Sequence, residues 1–256
     1  RRAAQGVFAE LDSRQTKVIR FFLSDFSQLQ YALPSIFYFF DEGTMSSVSN
    51  IHTYRGNAEI NFITDDRGAL SVTIDTDRLH MRSVKAKESD YDRYAALFGD
   101  KEVMEKFATG QTKTRDEVKS RTDDVWATGW RENDPYSGFA VFKKDTREFV
   151  GHAILGHGQS PGEAELGGMG NRSFWEKGYG SEAAKALIQE YIPATIQEGY
   201  LLDGKRLQTI VATARFDNPA SSRILEKIGM QFVREEEKYG ALRRHYAMDV
   251  NEHQGQ

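Results

Sequence analysis

Trp175-Glu176-Lys177-Gly178-Tyr179-Gly180-Ser181-Glu182 is the stretch on which the fold turns. It follows a predicted short strand, Ala164 to Gly168, and opens a predicted alanine-rich helix, Gly178 to Tyr191. Two glycines in the first turn let the backbone come close to a bulky anion. The free N–H groups there point outward, with the positive end of the helix dipole behind them. Such a turn suits a pyrophosphate, and it equally suits a tight strand-to-helix connection. It is not the dinucleotide fingerprint G-x-G-x-x-G, because Ala183 stands where the third glycine belongs. It is not a Walker A loop either, since no Gly-Lys-Ser/Thr follows.

Working outward, Leu207 to Ala214 reads as a strand of the buried type, and Asn218 to Ile228 as a helix with clear ends. Asn218 suits the N-cap, Pro219 the first turn and Gly229 the stop. Phe232 to Glu236 and Arg244 to Met248 suggest a closing strand pair. Upstream, Gly138 to Phe142 and Glu148 to Leu155 are predicted strands around a Lys143-Lys144-Asp145-Thr146 turn. Asp90 to Gly99 and Thr114 to Gly129 are predicted helices, and Arg78 to Val84 alternates like a strand. From Asp77 onward the pattern is mixed α/β.

The first 76 residues read differently. Val18, Phe21, Phe22, Phe26 and Leu29 fall near helical spacing, which predicts an amphipathic helix over about 14–30, stopped by Pro34. Ala58 to Thr64 and Leu70 to Ile74 alternate around Asp65-Asp66-Arg67-Gly68, a β-hairpin signal. The aromatic density here reads as core or docking surface. The expected organisation is an extension over 1–76, a main domain over 77–250 and a tail over 251–256.

The chain of 256 residues is long enough for a real core without staples. Its net charge is −4, and each side of residue 76 nets −2, which argues against a nucleic-acid binder relying on phosphate neutralisation. With no cysteine there is no disulfide framework, thiolate metal site or cysteine nucleophile, and the composition fits a reducing, cytoplasmic setting. No apolar run is long enough for a membrane-spanning helix. The chain begins Arg1-Arg2 without a methionine, which leaves a removed targeting segment open. No His/Asp/Glu spacing reads as a metal site. Trp126 and Trp130 read as packing residues, with the lining of a groove as the alternative. Arg115, Arg121, Arg243 and Arg244 read as solvated charges.

Several motifs, taken in order, resemble those of the GNAT superfamily of N-acetyltransferases, in the branch that includes the ribosomal-protein N-terminal acetyltransferases. They are Arg78-Leu79-His80-Met81-Arg82, Val150-Gly151, Glu165-Leu166-Gly167, Gly178-Tyr179-Gly180-Ser181-Glu182-Ala183, and Asn218 and Ser221 followed by Leu225-Glu226-Lys227-Ile228-Gly229. The resemblance covers about 77–250. It implies an α/β (α+β) fold, a splayed, mostly antiparallel central sheet flanked by helices. It also implies acetyl-CoA as co-substrate, lying in a V between the strands near 164–168 and 207–214. The pyrophosphate is expected on the backbone around Lys177, Gly178, Tyr179, Gly180 and Ser181, with Asn218 and Ser221 near the cofactor arm. Trp175 departs from the family's usual loop residue, without removing the main-chain cradle.

The implied reaction is attack of a primary amine on a thioester, which needs a neutral amine, a polarised carbonyl and a proton for the thiolate. The resemblance assigns the carbonyl to a backbone N–H of Gly168 or Met169. Glu165 and Glu163 share one strand face and are the candidate bases. Many family members carry a tyrosine where this chain has Leu225, so Ser221 is the remaining candidate to meet the thiolate. Tyr246 is a weaker one, equally readable as strand core. The implied activity is direct acetyl transfer in a ternary complex, to a protein N-terminus or a small amine. The alternative is a non-catalytic acyl-CoA binder whose residues 1–76 engage a protein partner. A homodimer through that region is also open.

Overall fold

The computed structural model describes residues 44–250 and three strand segments before them. One sheet runs through all of it, in the order β1-β2-β3-β4-β5-β6-β7-β8-β9-β10-β11-β13-β12. β1 (Val7–Ala9), β2 (Val18–Phe21) and β3 (Phe37–Asp41) pair in antiparallel fashion and lead into β4 (Thr44–Arg55). The helix expected over 14–30 is therefore not what its described part shows. Val18–Phe21 is a strand, and the remainder of that stretch lies outside the described residues. A short apolar run satisfies either period, and here the strand pairing decides.

The predicted hairpin forms as β5 (Glu59–Asp65) and β6 (Leu70–Asp75). Its inward residues, Ile60, Phe62, Leu70, Val72 and Ile74, are buried in the main core. β6 continues directly onto β7 (Leu79–Ser83), so the sheet does not stop where the hairpin ends. Phe62 stacks on Tyr191 at 5.7 Å and on Tyr200 at 6.2 Å. On β4, His52 and Tyr54 both reach Glu198.

After β7 come α1 (Glu88–Gly99) and α2 (Lys101–Glu105), the latter capped by Asp100. α3 (Arg115–Arg121) starts with a Thr114/Glu117 capping box and passes through a π turn, Thr122–Trp126, into α4 (Ala127–Arg131). These helices cover one sheet face through Tyr94, Leu97, Phe98, Val118 and Trp126. Arg82 on β7 forks onto the fully buried Asp90 of α1, at 2.6 and 2.9 Å. Trp126 and Trp130 are both buried, in agreement with a packing role.

β8 (Gly138–Lys143), β9 (Phe149–His157) and β10 (Glu163–Gly170) follow as an antiparallel run. α5 (Tyr179–Lys185) continues through a π turn, Ala186–Tyr191, into α6 (Ile192–Gln197). β11 (Thr209–Arg215), α7 (Pro219–Lys227), β12 (Gln231–Lys238) and β13 (Ala241–Asp249) complete the fold. Ala183, Leu187, Tyr191 and Leu225 bring α5, its π turn and α7 onto the second face, against Leu79, Leu155, Leu166 and Ile210. The fold is the expected α/β arrangement, a mostly antiparallel sheet with helices on both faces.

Candidate active site

The sheet is interrupted at one place. β10 and β11 are its one parallel pair among the described strands, and they pair only from Glu163↔Thr209 to Leu166↔Ala212. Beyond that, β10 stays with β9 to Gly170, and β11 stays with β13 to Arg215. A V opens between them, where the family resemblance implied one. Successive strand N–H groups point to opposite edges. One of the adjacent Gly168 and Met169 amides therefore faces the gap, while the other edge of the strand is taken by β9.

The glycines fit this geometry. A Cβ on Gly168 would stand 2.9 Å from the His152 carbonyl oxygen, whereas one on Gly167 meets nothing within 4 Å. Gly151 opposes Gly170 across the β9–β10 ladder, and a Cβ there would lie 2.8 Å from the Gly170 Cα and closer still to the Met169 oxygen.

At the open end of the V stands the N-terminus of α5. Gly178 is its N-cap at φ +82°, a left-handed conformation that suits glycine. The first helical hydrogen bond is Glu182 N–H to the Gly178 carbonyl, so the amides of Tyr179, Gly180 and Ser181 precede the ladder. Gly180 lets α5 approach α7, with Ile224 Cδ1 at 3.2 Å from where a Cβ would sit.

Arg78, the residue just before β7, organises this turn. Its Nη1 donates to the Lys177 carbonyl at 3.0 Å, and its Nε donates to Glu182 at 2.6 Å. Its guanidinium lies 4.7 Å over the Tyr179 ring, with Nη2 3.4 Å from where a Gly178 Cβ would be. Glu182 also accepts from Thr76 Oγ1 and from the Arg78 amide. Sequence reasoning saw Arg78 only as the start of a strand. The acidic Glu182 in the first helical turn was the available signal that a cation is held there. The cradle's residues thus fit a pyrophosphate by their free amides, their missing side chains and one adjacent guanidinium.

The Lys177 ammonium is turned to the Ser173 carbonyl at 2.7 Å, so this residue offers the turn its main chain. Trp175, the departure from the family pattern, donates from Nε1 to the Gly170 carbonyl at 2.7 Å and closes the β10–α5 connection.

Across the V, Asn218 caps α7 by accepting from the Ser221 amide at 3.2 Å. Among the described residues the Ser221 hydroxyl has no hydrogen-bond partner. Leu225 is buried in the core and brings no polar group to the gap. Tyr246 is also core, its hydroxyl donating to Glu226 at 3.1 Å.

The two carboxylates separate. Glu163 lies at the first position of β10 and accepts from the Gln159 amide at 2.8 Å, closing the β9–β10 loop. Glu165 sits between Gly156 and Val211 at the closed end of the V, half-buried. Strand alternation puts it on the same face as Gly167 and Met169. On that face the end of α2 reaches across to the far side of the V, where Lys106 donates to Asp217 at 3.0 Å. Thr213 and Arg215 of β11 and Arg243 and His245 of β13 continue the face. The sequence reading of Arg243 as a solvated charge is corrected here, because Arg243 is only 6% exposed. The Tyr239 ring, at 5.7 Å, and Thr213 lie against it, which local composition does not register.

Comparison with known proteins agrees with this arrangement. The acetyltransferase (GNAT) domain family matches residues 78–231. An uncharacterised N-acetyltransferase of Bacillus subtilis, YnaD, is 27% identical over 158 residues, 62% of this chain and 82% of that protein. A GNAT-family acetyltransferase from Bacillus anthracis has a similar structure, with a TM-score of 0.56 and 22% identity over 70% of this chain and 99% of that one. RimL, a ribosomal L7/L12 α-N-protein acetyltransferase solved with coenzyme A, overlaps with a TM-score of 0.54 and 18% identity, over 69% of this chain and 96% of its own. With the splayed β10–β11 pair, the glycine-capped α5 and a family match across most of the chain, the protein belongs to the GNAT acetyltransferase family.

Proposed function

We propose that the protein is an acetyl-CoA-dependent N-acetyltransferase that moves the acetyl group directly to a primary amine. The observation that carries this is the V between β10 and β11, with the amide cradle of α5 at its open end and Ser221 on its far side. When bound, acetyl-CoA supplies an activated acyl thioester. Residues Lys177 to Ser181 hold the anionic end through main-chain N–H groups, backed by Arg78. The gap-facing amide of Gly168 or Met169 donates to the carbonyl oxygen as negative charge develops there, a stabilisation that fixed donors provide at little reorganisation cost. Ser221, its hydroxyl free, donates to the departing sulfur. Glu165 faces the acceptor side and takes the amine proton, directly or through water. Glu163, engaged with its own loop, has no part in this reading. With no cysteine to carry an acyl group, both substrates are present together.

Leu225 favours one rival, a protein that binds acyl-CoA without turnover, because the family's usual hydroxyl is replaced there by a core leucine. Isothermal titration with acetyl-CoA tests the site first. Gly178→Asn and Gly178→Asp both tolerate a left-handed backbone. The aspartate alone sets a negative charge in the cradle, and it should bind at least about tenfold more weakly than the asparagine. Equal binding by the two variants would refute the cradle. Thiol release with an amine panel then separates the readings. Ser221→Ala should lose turnover and keep acetyl-CoA binding, whereas wild-type binding without any release would favour the rival.

A further inference from the structure

We infer that Arg243 is an anchor for an anionic group on the acceptor, so that the amine acetylated also carries a carboxylate. This rests on the proposed transfer reaction and adds the class of acceptor to it.

Arg243 lies on β13, three residues after the Gly240 turn, directly opposite Arg215 at the end of β11 that borders the open V. Its Nε donates to Thr213 Oγ1 at 3.0 Å, so the side chain leans from β13 across β11, toward the gap. Nη2 makes only a long bond, 3.4 Å, to the Thr213 carbonyl. Nη1 is buried and has no hydrogen-bond partner. Among the described residues no carboxylate reaches Arg243 within ion-pair distance. Asp217, two residues beyond β11, is already shared by Arg215, at 3.0 Å, and Lys106, also at 3.0 Å. The Tyr239 ring covers Arg243 at 5.7 Å.

A buried guanidinium with an unused donor and no counter-ion is costly unless something supplies the missing acceptor. A strut between β13 and β11 would need Nε alone. The remaining fork matches a carboxylate, the planar acceptor that a guanidinium binds best. Burial and the Arg215 charge both push against the charged form of Arg243, and Tyr239, Glu165 and Asp217 favour it. An incoming carboxylate adds to the favourable side. Glu165 shares this face. An α-amino acid or the C-terminal residue of a short peptide therefore has a partner for each end: Arg243 for the carboxylate and Glu165 for the ammonium.

The test compares the common α-amino acids with their carboxamides as acceptors, with ethanolamine phosphate against ethanolamine as a phosphate arm. Wild type should favour acids over amides at least tenfold in kcat/KM. Arg243→Met should bring that ratio to near one with acetyl-CoA affinity unchanged, and Arg243→Lys should retain part of it. A wild type that prefers amides or polyamines, or an Arg243→Met variant that keeps the ratio, overturns the inference. A preference confined to the phosphate pair overturns the carboxylate assignment. Saturation-transfer NMR of the same acid and amide pairs needs no turnover. Acid-selective binding lost in Arg243→Met would uphold the anchor even if no transfer occurred, and equal binding of both by wild type would refute it.

Discussion

Replacing Gly151 by alanine puts the geometry of the V to a sharp test. A Cβ at this position would meet the Gly170 Cα at 2.8 Å and the Met169 carbonyl oxygen at a shorter distance. Both neighbours are backbone, so neither can rotate aside, and β9 and β10 must move apart. Overpacking of this kind costs about 1–3 kcal/mol. Gly167, on the same strand as Gly170, is the control, because a Cβ there meets nothing within 4 Å. Its φ is not in the left-handed region, so alanine should stabilise it by about 0.4–1 kcal/mol through the unfolded chain. At roughly 2–4 °C per kcal/mol for a chain of this size, the two variants should melt roughly 3–16 °C apart, Gly151→Ala the lower. Urea unfolding should rank them in the same order. Gly151→Ala should also weaken turnover more than acetyl-CoA binding, because the displaced segment carries the gap-facing amide but not the cradle. If Gly151→Ala melts like wild type, or Gly167→Ala is equally damaging, the register described here is wrong.

Three further outcomes follow from buried or partly buried charges. Arg82→Met should cost about 3–5 kcal/mol in urea unfolding, because it strips a fully buried Asp90 of its main counter-ion. Burial holds the His152 imidazole down at about 3, against a bond to the Phe139 carbonyl that pulls it up, so its NMR signals should not titrate between about pH 8 and about pH 4. The unfolded chain takes up that proton below 6.5, so this site lowers stability in acid by up to about 1.4 kcal/mol per pH unit, relative to His152→Gln. His157 is the opposite case: burial pushes its pKa down, but Asp134 at 2.6 Å and Asp203 at 3.0 Å raise it on balance. Its contribution is present in full below the ordinary imidazole pKa and fades as pH rises through the raised one. The stability gap between wild type and His157→Gln should therefore be widest below about pH 6.5 and shrink as pH rises above it.

The parts legible in the sequence were those fixed by local chemistry. Asn218 does cap α7, and the hairpin at 58–74 forms because alternation and the Asp65–Gly68 turn agree. The glycine turn at 178 was readable because only glycine takes that conformation readily. Long-range geometry was not readable. Phe21 fits a helical stripe as well as a strand, and only pairing with β1 and β3 tells them apart. Glu163 and Glu165 look equivalent two residues apart, until the loop amide of Gln159 claims one of them. Arg78 and Arg243 look like ordinary surface cations, because their partners Glu182 and Thr213 are remote in sequence.

The family match begins at residue 78, yet β6 is hydrogen-bonded to β7 from Thr73 to Asp75, and Val72 and Ile74 are fully enclosed. The inherited segment is thus shorter than the cooperative one. A protein expressed from residue 78 would present an open strand edge along β7 and strip Phe62 from Tyr191, inviting aggregation through that edge. Anyone trimming this chain for crystallisation or assay should set the start ahead of β4, which pairs along β5, and treat the homology boundary as a record of descent, with the folding limit lying upstream of it.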